Sequence, residues 1–380
     1  MIAEAVKKNR KHPPAARSFA CAVQLPALRR RLLAWFHSHK RSLPWRASRD
    51  PYRIWISEIM LQQTRVAAVL PYYQRFLARF PTVRALARAP ESAVLEAWAG
   101  LGYYSRARNL HRAAKEIVRL HAGKFPRAHV AALALPGVGR YTAAAVLSIA
   151  YGASLAVLDG NVARVLARLG AVRGDLRQPA RWRLLEAAAQ RLLASRSPAD
   201  WNQAMMELGA TVCTPRAPSC PECPVARFCR ARALGLQDSI PAKRDKRPPE
   251  DVRLAAAVLL DAHRRTLLIQ PANGAGEALF SRMWQFPALR VERDPLSELR
   301  RHLSDTLGIE PALCVPLPSA RHAVTFRRVT LLPFLVTVGQ LPGVTGADSA
   351  ALPLDEVEHW ATSSATRKIA RAALRGARAG

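Results

Sequence analysis

From Leu25 to Leu236 apolar residues return at helical spacing, alanines are frequent, and Pro or Gly marks the breaks, so the pattern predicts a helical domain over residues 25–237. Almost no stretch there alternates as a strand does. One segment, "YTAAAVLSIAYGASLAVL" over 141–158, carries no charge and just reaches bilayer-spanning length. It is rich in Ala, Ser and Gly and is interrupted by Gly152. It therefore reads as a buried helix, a turn and a short approach to Asp159 rather than a membrane span. The charged, proline-rich run "DSIPAKRDKRPPEDVR" then ends the helical pattern and predicts a linker over 238–252. Beyond it, "LAAAVLLD" and "TLLIQ" predict paired strands around a turn at Asp261–Arg264. "PLSELRRHLSDTLG" predicts an amphipathic helix and "VTLLPFLVTV" a further strand. Residues 253–370 are thus expected to form a small α+β or α/β domain.

Composition sharpens this picture. A chain of 380 residues exceeds one ordinary core, and half its residues are hydrophobic, so two folded domains are expected. Lys and Arg number 58 against 27 acidic residues, a formal charge of +31. Such a field draws polyanions from a distance, and nucleic acid is the partner it fits first, an anionic membrane surface the second. Residues 1–24 lack the continuous apolar core of a secretion signal and read as a flexible basic tail. A monomer in a bacterial-type cytoplasm, associated with the nucleoid, is the expectation.

Four of six cysteines cluster as Cys213, Cys220, Cys223 and Cys229, with the spacing C-x6-C-x2-C-x5-C. Two disulfides are one reading, disfavoured in a reducing compartment. Structural zinc is another, but its usual pattern is two close pairs across a longer span. Three short gaps around one compact object suit a four-thiolate [4Fe–4S] cluster better. Arg216, Arg227 and Arg230 flank the cysteines, so a cluster that folds this loop would also present phosphate contacts. Cys21 and Cys314 stand apart and read as ordinary residues.

The stretch "LPGVGRYTA" lies between the helical patterns "HVAALAL" and "YTAAAVLSIA". Gly137 and Gly139 let backbone approach a ligand, and their amides and Arg140 precede a helix N-terminus, a ready phosphate site without base specificity. Chemistry needs acids nearby. "RDPYRIWISEIMLQQT" begins a helix with Asp50 as cap and Pro51 in its first turn, and sets Glu58 on an aliphatic stripe with Ile54 and Leu61. A carboxyl buried there has a raised pKa and can hold a proton to donate; the alternative is a structural glutamate paired with arginine. Asp159 in "LAVLDGNVARVLARLG" precedes a helix whose dipole favours an anion, and it can also serve as a plain N-cap. The two environments are expected to push the pKa values apart, with Glu58 as acid and Asp159 as anion. That division suits cleavage through an oxocarbenium ion.

Hairpin, downstream aspartate and cysteine spacing resemble the helix–hairpin–helix DNA glycosylase superfamily of endonuclease III. Within it, "LPWR", "WISEIMLQQT", "GLGYYSRARNL", "LPGVGRYTA", "LDGNVARVLARLG" and "NQAMMELGA" together resemble the adenine DNA glycosylase (MutY) family over Leu25–Leu236. This resemblance implies an all-α glycosylase core with an iron–sulfur loop at 213–229, excising adenine opposite 8-oxoguanine or guanine in double-stranded DNA. Glu58 would then protonate adenine N7, Asp159 would stabilise the sugar cation and Asn161 would orient acid groups and water. Bifunctional relatives carry a lysine after "LPGVGR" that forms a Schiff base. Tyr141 stands there in this chain, which implies base removal without strand cleavage. Base extrusion requires a wedge. The resemblance assigns duplex entry to Gln63, Leu101 and Tyr103, and the adenine pocket to Leu43, Trp45 and Arg46.

"MWQFPALRV" resembles a segment of the MutT-like domain of this family, an α/β domain that reads 8-oxoguanine. The helix "PLSELRRHLSDTLG" offers only Glu298 and Asp305 for divalent metal, so binding rather than hydrolysis is implied. The family's Phe-Ser-His loop corresponds here to Val324, Thr325 and Phe326; Thr325 keeps the hydroxyl, and the imidazole is lost. The rival readings are a bifunctional endonuclease III-like glycosylase/lyase, which needs an amine near Tyr141, and a noncatalytic iron–sulfur DNA-binding protein.

Overall fold

The computed structural model describes residues 24–242, 248–270, 283–311, 313–324, 326–343, 348–360 and 362–379. The basic tail before Gln24, Cys21 and Thr325 lie outside the described residues. The chain divides into two compact units, Met1–Arg88 with Asn109–Asp245, and Ala89–Arg108 with Lys246–Gly380. The helical pattern is realised as α1 (Leu25–His39), α2 (Pro51–Leu61), α3 (Val66–Arg79), α4 (Val83–Arg88), α5 (Glu91–Trp98), α6 (Tyr104–Leu120), α7 (His129–Leu133), α8 (Arg140–Tyr151), α9 (Gly160–Gly170), α10 (Pro179–Leu192), α11 (Pro198–Thr211) and α12 (Arg230–Ala233). Of these, α5 belongs to the second unit and α6 supplies residues to both.

The first unit is organised around α8. Every residue from Thr142 to Ile149 is buried, and α8 packs against α2, α7 and α11. The helix ends at Gly152, whose φ of +71° stops it in the left-handed region, and the chain then runs on to Asp159. Among the described residues, no helix is long and apolar enough to cross a membrane. Helix α2 starts as its sequence dictates: Asp50 accepts from Tyr52 N at 2.9 Å, a cap worth ~1 kcal/mol, and Pro51 occupies the first turn. Residues Ile54–Met60 are all buried, so one end-capped helix drives Glu58 into the core.

The second unit joins a five-stranded mixed sheet to a two-stranded one. Strands β1 (Glu250–Leu260), β2 (Arg265–Ile269), β3 (Ala288–Arg290), β4 (Leu313–Pro316), β5 (Ala320–Val324), β6 (Arg327–Thr337) and β7 (Ser349–Pro353) accompany helices α13 (Pro295–Leu307) and α14 (Ser364–Ala379). The apolar run of β1 is buried on both faces. Val252, Ala256 and Val258 join Ile369, Ala370 and Ala373 of α14, while Ala255, Ala257 and Leu259 join Leu299 and Leu303 of α13. A small α/β domain was expected from the sequence, and a sheet between two helical layers is what forms.

Two local expectations fail. The turn at Asp261–Arg264 forms, with Arg264 at φ +59° and Asp261 N donating to Arg265 O, yet β1 and β2 do not pair with each other. Instead β1 runs parallel to β6 from Glu250↔Arg327 to Leu260↔Thr337 and antiparallel to β3, while β2 pairs with β7. A parallel partner cannot be adjacent in sequence, so the short turn gave a false hairpin signal. Strand β1 also starts at Glu250, inside the stretch read as linker. Glu250 pairs with Arg327, and Asp251 with Arg328, across the two strands. Glu298, one of the two acids considered for metal, accepts from Arg293 N at 2.9 Å, just ahead of the cap Asp294 that bonds the Leu296 and Ser297 amides of its helix.

Candidate active site

Helices α2 and α8 pack together so that the second residue of the hairpin's exit helix meets the acid. Tyr141 donates from its hydroxyl to Glu58 Oε2 at 2.7 Å, and the Tyr141 hydroxyl oxygen lies 3.0 Å from Met206 Sδ. Glu58 is 5% exposed. Burial is the main influence on its carboxyl and pushes it up to about 7; the bond from Tyr141 opposes this, the charge of Asp159 adds to it, and Arg46 opposes it. The Tyr141 phenol is pushed well above its ordinary value, by burial first and by Glu58 and Asp159 next. Tyr141 is therefore a neutral donor held against an acid.

Asp159 is the N-cap of α9 and accepts from Val162 N at 2.7 Å. Its carboxyl was expected to be driven down by the helix dipole. It is raised instead, because burial outweighs the bonds from the Val162 and Asn161 amides, the charge of Arg164 and the Asn161 side chain. The amide bonds at the start of α9 do lower it, but the sequence did not disclose how deep the cap lies. Asn161 Nδ2 donates to Asp159 Oδ2 at 3.3 Å, and Arg164 Nη2 donates to Asn161 Oδ1 at 2.9 Å. Arg164 further donates to the carbonyls of Gly209 and Cys213 at 2.7 and 2.9 Å. A Cβ at Gly209 would stand 2.9 Å from that of Asn161, so α11 and α9 meet there as closely as backbone allows.

Glu58, Tyr141, Asp159 and Asn161 all line one cavity of about 780 Å³ in the first unit, together with Leu43, Trp45 and Arg46. Leu43 and Trp45 are 8% and 7% exposed, so they serve both core and wall; Trp45 meets Tyr73 edge-on with centroids 5.3 Å apart. Arg46 is not core filler. It donates to Glu207 Oε2 at 2.7 Å and to Arg41 O at 3.1 Å, and stands over the Phe36 ring at 5.5 Å. Arg41 grips Glu207 bidentately at 2.7 and 2.8 Å. Glu207 is 1% exposed; burial alone would raise its carboxyl, but the bonds from Arg41 and Arg46 and the charge of Arg46 hold it at about 2. Two guanidiniums on one carboxylate leave the cavity a net cationic corner. Glu207 and Arg41 were missed in the sequence, although Glu207 sits within the quoted "NQAMMELGA" as an acid on an apolar helix.

At the hairpin, Gly137 has φ +74° and its Cβ would meet Asn109 Cβ at 2.7 Å, so glycine is required there. Gly139 has ordinary dihedrals and open space about it, so nothing within the protein demands glycine. As N-cap of α8 it offers no side chain to the first-turn amides, which leaves them for an incoming anion. Arg140 is exposed, 3.5 Å from Glu186. Gln63 lies at the cavity mouth, exposed and in the left-handed region at φ +56°. Leu101 and Tyr103 belong to the second unit, where Leu101 is 7% exposed and Tyr103 is 47% exposed.

Cys213, Cys220, Cys223 and Cys229 are free thiols lining one small apolar hollow with Arg168. Arg168 Nη1 donates to Cys213 Sγ at 3.2 Å and to Thr214 O at 2.7 Å, and its Nη2 is buried without a hydrogen-bond partner among the described residues. Burial pushes the Cys223 thiol up to about 12 and raises those of Cys220 and Cys229. Among the described residues, no three His, Cys, Asp or Glu side chains are grouped to hold a single ion.

Comparison with known proteins bears on the same segments. The family described as "HhH-GPD superfamily base excision DNA repair protein" matches residues 56–190, a span holding Glu58, the hairpin and Asp159. Human adenine DNA glycosylase is 35% identical over 93% of this chain and 75% of its own length. The Arabidopsis thaliana protein of that name is 36% identical over 72% of this chain and 49% of its own. Among solved structures, a thermostable thymine-DNA glycosylase superposes with a TM-score of 0.51 at 29% identity, covering 56% of this chain and 98% of that one. With a relative this similar matched across both units, the chain belongs to the adenine DNA glycosylase family.

Proposed function

We propose that the protein hydrolyses the N-glycosidic bond of adenine mispaired with 8-oxoguanine or guanine in duplex DNA and leaves the strand intact. One observation carries the reading: a buried carboxyl whose pKa is near 7, bonded to a phenol, lines the same cavity as a second carboxylate that caps a helix. In this mechanism the hairpin amides at Gly137–Arg140 hold a phosphate, and adenine turns out of the stack into the cavity between Trp45 and Arg46. Glu58 gives its proton to N7. The glycosidic electrons leave with the base, and Asp159, oriented by Asn161, balances the cation growing on the sugar. Water adds to C1′, and the proton it releases restores Glu58. Tyr141 fixes the Glu58 carboxyl and, lacking an amine, cannot form the imine from which β-elimination proceeds.

Cys213, Cys220, Cys223 and Cys229 would hold a [4Fe–4S] cluster. Four free thiols around one hollow, their three short sequence gaps and a buried guanidinium hydrogen lacking an acceptor support this reading over zinc. When bound, the cluster would supply iron–thiolate bonds that fix this arginine-bearing loop. The second unit is assigned recognition of 8-oxoguanine, through Val324, Thr325 and Phe326.

Incubation with a duplex carrying A opposite 8-oxoguanine, and a parallel one with guanine opposite, tests the proposal. Free adenine should appear, and the strand should break only after alkali. Prompt scission with a borohydride-trappable adduct would establish the lyase instead, and no adenine release would leave only a DNA binder.

A further inference from the structure

Tyr103 is held in a posture that a lone loop residue would not adopt. The residue is 47% exposed, and its backbone lies in the left-handed region at φ +50°. The loop around it is tightly fastened. Gly100 and Gly102 take φ of +100° and +72°, Trp98 Nε1 donates to Gly102 O at 3.1 Å, and Gly100 N donates to Tyr104 Oη at 3.1 Å. At the centre lies Arg106, only 9% exposed. Its guanidinium carbon is 5.2 Å from the Tyr103 ring centroid and 5.4 Å from that of Trp98. Its Nη2 donates to the carbonyls of Leu101 and Gly102 at 3.4 and 3.2 Å. Burial lowers its pKa to about 10, so it stays a cation at neutral pH.

We propose that Arg106 is a positioning residue: through the Tyr103 and Trp98 rings and the two loop carbonyls, it holds the Tyr103 ring outward in the pose needed to enter DNA. The inference rests on the reading of Tyr103 as the residue that enters the duplex. A guanidinium fits the task because its planar fork stacks on rings with its faces and donates to carbonyls with its edge, which an ammonium cannot do at once. Arg106 thereby removes alternative ring poses before DNA arrives, and the ordering cost is met during folding rather than on binding.

A double-mutant cycle tests this. Affinity is measured by fluorescence anisotropy on the full-length protein, using a duplex with uncleavable 2′-fluoro-adenosine opposite 8-oxoguanine. Tyr103→Ala should weaken binding about tenfold or more, the scale of one stacked base. Arg106→Lys should weaken it about fivefold alone, yet less than about twofold further in the Tyr103→Ala background. Arg106→Gln, which keeps an amide donor for the carbonyls but removes the charge, is run beside it and should show the same coupling. Equal losses from both Arg106 variants in the two backgrounds would overturn the proposal, since a phosphate contact or a folding defect does not depend on the ring. An unchanged affinity in Tyr103→Ala would instead overturn the underlying reading of Tyr103, and the role of Arg106 with it.

Discussion

Glu58→Gln is expected to bind duplex DNA with adenine opposite 8-oxoguanine as tightly as the unsubstituted protein, and to excise adenine about 10²–10⁴ times more slowly. The substitution is close to isosteric. A glutamine carbonyl can still accept the Tyr141 hydroxyl, so the α2–α8 contact and the cavity wall survive. What is lost is the proton. An amide has none to give N7, and the departing purine must leave as an anion. Burial makes the carboxyl a useful acid in the first place, by lifting its pKa to about 7. Single-turnover rates with saturating protein separate this loss from a binding defect. A variant within about tenfold of the original rate would exclude Glu58 as the proton donor.

Asp159→Asn should cost on the order of 10²–10³ in the same rate while leaving the fold intact. Asparagine caps helices as well as aspartate does, so the bond to Val162 N can persist and α9 should not fray. The negative charge alone is removed. If Asp159 acts only as a cap, Asn should be nearly silent in both excision and thermal melting. If it faces the sugar cation, excision collapses while the melting temperature moves by only a few degrees. Melting measured beside the rate therefore distinguishes the two roles that the sequence left open.

How much of this was legible beforehand differs from residue to residue. Glu58 was legible because capping and periodicity are local: Asp50 and Pro51 set where α2 starts, and spacing then fixes which face it shows. Its bond to Tyr141 was not, since 83 residues separate the partners and only the packing of α2 on α8 joins them. Asp159 was readable as a cap, but its burial depends on α11 closing over α9 at Gly209, and this reversed the direction expected for its pKa. Arg46 was assigned to the adenine pocket by the resemblance alone, whereas its partner Glu207 lies 161 positions away and was passed over. In the second unit the strand segments were visible from composition, yet the pairing of β1 with β6 was not. Parallel partners are distant in sequence, and the turn at Asp261–Arg264 suggested the nearer one.

The pH dependence of adenine release, followed in single turnover with saturating protein from about pH 5 to about pH 9, tests the role of Glu58 most directly. A donor that must be protonated, and whose pKa burial has raised to about 7, should give a plateau on the acid side. Above that value the rate should fall about tenfold for each pH unit. A rate that stays level, or climbs, between about pH 6 and about pH 9 would contradict that role.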